Sequence, residues 1–242
     1  MRINRLFVRE DLKVGSGLDL EGYRAHYLRS VLRGRPGQVC HVFNGLGGEF
    51  VATIVSVSRN SIHLDLTAFL DNDRESPLET HVGIGIVRSS AMDESLSHAT
   101  ELGATIITPL HCAYSQNNQR SLEKRVDHWH QIIISAAEQC GRNRLPRLAP
   151  VTPVNTWQVE AEHRLIAHPG HGSPILPART PARVALAIGP EGGFNHDELA
   201  LLTDGGFSIV NLGPRVLRTP TAVLSLLALT QSRWGDMDAA RL

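Results

Sequence analysis

From residue 80 onward, short apolar runs alternate with helical segments, and this alternation restricts the fold more than any other feature of the sequence. The apolar runs are Val82–Val87, Thr105–Thr108, Arg164–Ala167, Val184–Ile188 and Ser208–Leu212. Helices are expected at Asp93–Leu102, Ser121–Cys140, Asn195 to about Gly205, and Thr219 to Gln231. Strands that alternate with helices form a parallel sheet covered on both faces. We therefore expect a parallel-sheet α/β domain over residues 81–242.

The helix boundaries carry local signals. Asn195 and Glu198 have the spacing of a capping box. Thr219 followed by Pro220 is read as an N-cap residue with proline at the first helical position. Gly103 and Gly141 are expected just beyond two helix ends, where glycine is common.

Residues 1–70 have a different pattern, that of several short strands. Val39–Phe43 and Phe50–Val57 flank a glycine-rich turn and predict a hairpin, and Ile62–Leu66 alternates as a third strand. A short helix is expected at His26–Arg33. Strands of this length favour a small β-barrel. Polar residues from 71 to 80 then predict a linker between two domains.

Composition excludes several classes of protein. The chain has 242 residues, 42% of them apolar, which is enough to bury a core in each domain. Its longest nearly apolar run, Ala222–Leu229, is too short to span a membrane, and no apolar signal follows Met1. The three cysteines form no C-x-x-C pair, and none of the twelve histidines lies in H-E-x-x-H. We expect a cytoplasmic protein without a bound metal.

The formal net charge is zero, but the charge is unevenly distributed. Residues 1–60 hold 9 basic and 5 acidic residues, and residues 111–150 hold 6 and 3. Basic regions of this kind can contact phosphate while the whole chain stays neutral. The candidate contacts to the phosphates of a nucleic acid are Arg29, Arg33, Arg35, Arg142 and Arg144.

Three predicted strands end in unusual sequences. Ile188 leads into Gly189-Pro190-Glu191-Gly192-Gly193, Asn211-Leu212 leads into Gly213-Pro214, and His168-Pro169 follows a third strand. Ligands bind beyond the carboxyl ends of parallel strands, and glycine lets backbone approach a ligand. Neither G-x-x-x-x-G-K-[ST] nor G-x-G-x-x-G is present, which argues against nucleotide or NAD loops. Either each segment is an ordinary turn, or the loops share one ligand pocket, and we favour the shared pocket.

The predicted helix ending near Cys140 runs into a basic loop. Glu138 and Gln139 could hydrogen-bond a base edge, while Arg142 and Arg144 could hold phosphates. The residues alone favour a simpler alternative, an exposed Glu138–Arg142 pair four positions apart.

Taken together, these blocks resemble a known family, the SPOUT-class methyltransferases that methylate N3 of a uridine in 16S ribosomal RNA. The resemblance covers nearly the whole chain. Its strongest blocks are Glu138–Arg142, Ile188–Phe194 and Leu212–Thr219, supported by Val31–Arg33, Glu101–Gly103 and His168–Pro169.

The resemblance implies a PUA-like RNA-binding β-barrel at 1–70, a linker at 71–80, and an α/β domain with a trefoil knot at 81–242. It implies S-adenosylmethionine as cofactor, 16S rRNA or the small ribosomal subunit as partner, and a homodimer. The residues implied to bind the cofactor are His168, Pro169, Ile188, Gly189, Pro190, Glu191, Gly192, Gly193, Asn211, Leu212, Gly213, Leu217 and Arg218. Arg218 is our candidate for stabilising charge on the uracil, and Glu138 is a candidate general base.

Two positions depart from the family pattern. Pro220 stands where a glutamate is usual, and His98 stands where lysine is common. The missing carboxylate keeps one alternative open, a catalytically decayed rRNA-binding assembly factor. A second alternative is a different knotted methyltransferase that acts on transfer RNA.

Overall fold

The computed structural model describes residues 4–115, 122–170 and 177–237. It divides the chain into two compact units. The first contains residues 1–75 and 137–145, and the second contains residues 76–136 and 146–242. The sequence-based boundaries placed 137–145 in the second domain, whereas these residues cluster with the first unit.

The first unit is built on a five-stranded sheet. Its strands are β1 (Arg5–Phe7), β2 (Gly17–Glu21), β3 (Val39–Phe43), β4 (Glu49–Val57) and β5 (Ser61–Leu70). They lie in the order β1-β3-β4-β5-β2, with β1 parallel to β3 and the other pairs antiparallel. Among the described residues no pairing joins the edge strands β1 and β2, so the sheet is curled rather than closed by a continuous ladder.

The helix expected at His26–Arg33 begins earlier. Helix α1 spans Gly22–His26 and continues as a π-helical turn, Tyr27–Val31. Ala25 and Leu28 of this segment are buried in the core with the inward side chains of the sheet. The segment therefore packs onto the sheet through one face and leaves its other face exposed.

The second unit contains a seven-stranded, all-parallel sheet. Its strands are β6 (Glu79–Gly85), β7 (Ile106–His111), β8 (Arg147–Leu148), β9 (Thr152–Pro153), β10 (His163–Ala167), β11 (Arg183–Ile188) and β12 (Ser208–Val210). The order is β12-β10-β11-β6-β7-β8, and β9 also pairs with β7. The parallel α/β sheet is as the sequence indicated.

The remaining helices are α2 (Ser89–Glu101), α3 (Leu122–Cys140), α4 (His196–Asp204) and α5 (Thr219–Trp234). The expected capping box is confirmed. The Asn195 side-chain oxygen accepts a hydrogen bond from the backbone N–H of Glu198, and the Glu198 carboxylate accepts one from the backbone N–H of Asn195. The cap predicted for α5 is wrong by one residue. Arg218 is the N-cap and Thr219 is the first helical residue, because the Thr219 hydroxyl donates instead to the carbonyl oxygen of Gly189, at 3.0 Å.

His81 is a largely buried titratable group in β6. Its Nε2 lies 2.7 Å from the Thr108 hydroxyl, and its ring meets Trp157 edge-on at 5.5 Å. Burial, with a smaller contribution from the positive charge of Arg147, lowers the pKa of His81 to about 4. The ring is therefore neutral in the folded protein at pH 7.

This histidine predicts a loss of stability in mild acid. Between pH 6.5 and 4 this imidazole is protonated in the unfolded chain but stays neutral in the folded chain. The free energy of unfolding therefore falls as the pH falls. His81→Gln keeps a side-chain amide near Thr108 but does not titrate. We expect denaturant titrations to show that, between pH 7 and pH 5, the free energy of unfolding falls by about 2 kcal/mol more in the wild type than in the variant. Equal losses in the two proteins would contradict this.

Candidate functional site

A pocket lies at the carboxyl ends of β10, β11 and β12. These strands are adjacent and parallel, so the loops that follow them meet at one edge of the sheet. Eleven of the thirteen residues expected to bind the cofactor line this pocket: His168, Pro169, Ile188, Gly189, Pro190, Glu191, Gly192, Gly193, Leu212, Gly213 and Leu217. Ala167, Phe194, Arg215, Val216, Thr219 and Ala222 complete the wall.

Backbone forms much of this wall. Gly193 and Gly213 have φ values of +73° and +103°, which favour glycine strongly. The Gly193 amide donates to the carbonyl oxygen of Pro190 at 2.8 Å and closes a tight turn. At its glycines the pocket therefore presents peptide groups to a ligand with no side chain in between, which suits the hydrogen-bonding edges of adenine and ribose.

Asn211 is one of the two expected cofactor residues that do not line the pocket. Its amide donates to the carbonyl oxygen of Gly170 at 2.6 Å, and its Oδ1 accepts from the Gly213 amide at 2.8 Å. These bonds tie the loop after β10 to the loop after β12. Asn211 thus positions the wall of the pocket, and its own contact with the cofactor stays a prediction.

Arg218 is the other exception, and it differs from its neighbour Arg215. Arg215 lines the pocket, whereas Arg218 does not. Arg218 is exposed at the N-cap of α5, directly between Leu217 and Thr219, which do line it. Within the described ranges no hydrogen bond or ion pair holds the Arg218 side chain, so its guanidinium is available at the rim.

Gly85 is a residue that the sequence analysis missed. It ends β6, and a Cβ placed there would lie 2.4 Å from the Pro190 nitrogen and 2.8 Å from the Gly189 carbonyl carbon. Only glycine lets the loop after β11 approach the strand this closely. A glycine inside an otherwise apolar strand was the available signal, because it often marks a close approach of backbone.

Glu138 belongs to the first unit, and the contacts described for it lie within that unit. Its Oε1 accepts from the Phe7 amide of β1 at 2.9 Å. Burial raises the pKa of Glu138 despite the opposing effects of that hydrogen bond and of Arg5 and Arg24. Its role as a general base stays a prediction, since the contact described for its carboxylate joins the end of α3 to β1.

Arg5 anchors the segment 137–145 to the strands of the first unit. Its guanidinium pairs with Glu49 at 2.7 Å and donates to the carbonyl oxygens of Ala137 at 2.9 Å and Arg142 at 3.0 Å. It also bonds Asn143, whose amide donates to Asn72. One partly buried cation thus holds a strand, a helix end and a loop together.

The five expected RNA-binding arginines have different surroundings. Arg142 is 5% exposed and forms an ion pair with Glu75. Its guanidinium is held inside the unit by Glu75, and its contact with RNA phosphate stays a prediction. Arg33, Arg35 and Arg144 are exposed, and Arg29 is half-buried.

The two departures from the family pattern lie in contact. His98 Nδ1 donates to the carbonyl oxygen of Pro220 at 3.3 Å. Pro220 is buried in the first turn of α5. Its ring fits a helix start, where a missing amide proton costs nothing.

Among residues 4–115, 122–170 and 177–237, no group of three or more His, Cys, Asp or Glu side chains is placed to hold a metal ion. Over the same ranges, no helix is both long enough and apolar enough to cross a membrane.

Comparison with known proteins identifies relatives over nearly the whole chain. An RNA methyltransferase domain model matches residues 74–231, and an RNA methyltransferase PUA domain model matches residues 20–67. Ribosomal RNA small subunit methyltransferase E of Buchnera aphidicola subsp. Schizaphis graminum is 32% identical over 98% of this chain and 99% of its own. The protein of the same name from Synechocystis is 31% identical over 93% of this chain and 76% of its own length.

Solved structures are also similar to this chain over nearly its whole length. Ribosomal RNA small subunit methyltransferase E from Neisseria gonorrhoeae, bound to S-adenosyl methionine, is 31% identical with a TM-score of 0.90, covering 98% of this chain and 100% of that one. A protein from Legionella pneumophila, solved with bound SAM, is 33% identical with a TM-score of 0.93 over the same shares of the two chains.

Proposed function

Because this chain belongs to the RNA methyltransferase family, we propose that it transfers a methyl group from S-adenosylmethionine to N3 of a uridine in 16S rRNA of the small ribosomal subunit. The observation that carries the proposal is the glycine-walled pocket at the ends of β10, β11 and β12. The relatives named as small-subunit rRNA methyltransferases, and those solved with the cofactor, support it.

The pocket residues fit this cofactor. Peptide groups around Gly189, Gly193 and Gly213 would hold adenine and ribose, and Arg215 is placed for an anionic group such as a carboxylate. When bound, S-adenosylmethionine supplies an electrophilic methyl group on a sulfonium. The chain's own part is then to position the uracil and to exclude water.

Arg218 has the chemistry for the reacting base. Uridine N3 must lose its proton to attack, which places negative charge on the uracil oxygens. The Arg218 guanidinium and the first amides of α5 together favour such charge. Glu138 or water would take the proton. The target must be unpaired or flipped, since N3 is hidden in a base pair.

Mass spectrometry of rRNA and tRNA from a deletion strain tests the reaction and names the RNA. We expect loss of one N3-methyluridine from 16S rRNA and its return when the gene is restored. Loss of a tRNA modification would favour the alternative substrate. Unchanged RNA, together with no heat of S-adenosylmethionine binding in calorimetry, would favour the assembly-factor alternative.

The proposal includes a trefoil knot in the second unit, a homodimer formed through that unit, and action in the cytoplasm. Exposed leucines support the dimer. Leu224 and Leu229 of α5 are 41% and 47% exposed, while Val223, Leu226 and Leu227 are buried. A helix with apolar residues on two faces has more apolar surface than one core needs.

We expect sedimentation to give about twice the 26.5 kDa monomer mass. Leu224→Glu should shift the protein toward the monomer, because a charge would then be buried without a partner. Leu201→Glu is the matched control, since Leu201 is also 41% exposed but lies on α4. A wild-type monomer at micromolar concentration would contradict the dimer.

A further inference from the structure

Tyr23 is an exposed aromatic residue on α1 of the first unit. Its side chain is 71% exposed. The ring lies nearly parallel to that of Tyr27, with centroids 6.0 Å apart and an angle of 17° between the planes. Tyr27 is half-buried, whereas most of the Tyr23 side chain is open to solvent.

The chain around this ring is basic. Residues 22–35, which we name the helical segment, contain four arginines and no acidic residue. Arg24 is paired with Glu10 at 2.8 Å, and Arg29 donates to the carbonyl oxygens of Ser58 and Arg59 at the β4–β5 turn. The side chains of Arg33 and Arg35 are exposed. Across the part of the chain that the structure describes, neither has an ion-pair partner. Two positive charges therefore remain available to an anion.

Arg33 also has an unusual backbone. Its φ is +53°, and it is the one non-glycine residue with positive φ in the described ranges. It follows the π-helical turn where the Gly34 amide donates to the carbonyl oxygen of Leu28 at 2.9 Å. Glycine ordinarily occupies such a position at a helix end. Strain at an exposed cation is a reason to look for function in its side chain.

From these observations we infer that the helical segment binds single-stranded RNA, with one unpaired base stacked on Tyr23 and a phosphate of the same strand held by Arg33. Aromatic rings stack on any base because every base has a π face, and they need that base free of a duplex. Arg33 and Arg35 in the same segment, unpaired among the described residues, favour a nucleic acid over an apolar partner. The inference deepens the proposed function, on which it rests for the choice of RNA.

The test is equilibrium binding of the full-length protein to a fluorescent 12-nucleotide single-stranded RNA and to a duplex of the same sequence. Tyr23→Ala should weaken single-strand binding by about tenfold or more, the scale of one lost stacking contact. It should leave duplex binding and the salt slope unchanged. Tyr23→Phe should bind as the wild type does, since the ring is kept. Val55→Ala is the matched control, since Val55 is 46% exposed on β4 of the same unit.

Arg33→Gly tests the phosphate contact with a readout that a structural role would not give. Glycine relieves the positive φ, so the thermal midpoint should hold or rise. RNA affinity should fall, and the slope of log affinity against log salt should become shallower by about one. An unchanged slope, or a fall in the midpoint together with affinity, would overturn Arg33 as a phosphate ligand.

The two proposals can fail separately. Wild-type single-strand affinity in Tyr23→Ala, or equal losses for single strand and duplex, would overturn the stacking inference whatever the enzyme does. A change in sedimentation with no change in RNA binding would assign Tyr23 to a protein interface and also overturn it. If the binding results hold but no methylated uridine is found, the stacking site stands and the proposed reaction fails.

Discussion

Arg218→Ala is expected to lower the single-turnover methylation rate by about two orders of magnitude, the scale of losing one donor to a developing oxyanion. The reason is its place at the N-cap of α5, from which, in the proposed reaction, its guanidinium and the helix amides would both stabilise charge on a uracil oxygen. Because this charge develops mainly in the transition state, the affinity for S-adenosylmethionine should change much less. Arg218→Lys should rescue the rate only in part, since lysine lacks the planar fork.

Arg215→Ala is the matched control for that experiment. Arg215 lines the pocket and lies three residues earlier in the same loop. We expect its removal to raise the Kd for S-adenosylmethionine while leaving the rate at saturating cofactor within a few-fold of the wild type. The reverse pattern, with the rate lost in Arg215→Ala and kept in Arg218→Ala, would move the catalytic assignment to Arg215.

Gly85→Ala is expected to weaken S-adenosylmethionine binding by tenfold to about a hundredfold. A methyl group there meets the backbone of Gly189 and Pro190, which cannot rotate away as a flexible side chain could. Overpacking of this kind costs about 1–3 kcal/mol, and moving the loop to relieve it displaces the pocket wall. Calorimetric titration with the cofactor measures the effect.

The control for Gly85→Ala is Gly205→Ala, at the C-cap of α4. Gly205 has an ordinary φ of −73°, and its new methyl would lie 3.2 Å from the carbonyl oxygen of Leu202, outside the pocket. We expect wild-type affinity in this variant. Wild-type affinity in a folded Gly85→Ala as well would show that the loop does not depend on the close approach at β6.

Local signals predicted much of the secondary structure. Strand β3 begins and ends at the predicted residues, and the Asn195 capping box is present. The sequence predicts that α5 ends at Gln231, whereas the helix continues beyond it. In the structure Gln231 is 1% exposed: its amide donates to the carbonyl oxygen of Leu102, and its Oε1 accepts from Ser76. The helix therefore continues to Trp234.

The candidate site was likewise predicted in part by local sequence signals and decided in part by distant contacts. Glycine and proline after three apolar runs were enough to predict a shared pocket, because parallel strands bring their carboxyl ends to one edge. Which of the neighbouring residues would line it could not be read from spacing. Asn211 is committed to the Gly170 carbonyl oxygen, and Arg215 rather than Arg218 reaches the wall.

The sequence by itself determined the elements, the parallel α/β sheet and the loops that carry the pocket, because hydrophobic periodicity, helix caps and glycine turns act within a few residues of one another. Only the tertiary structure decided the use of residues whose partners lie far along the chain. Arg142 pairs with Glu75, Arg5 holds the segment from Ala137, and Gly85 makes room for Pro190. Such pairings depend on how distant segments pack, and no local pattern specifies them.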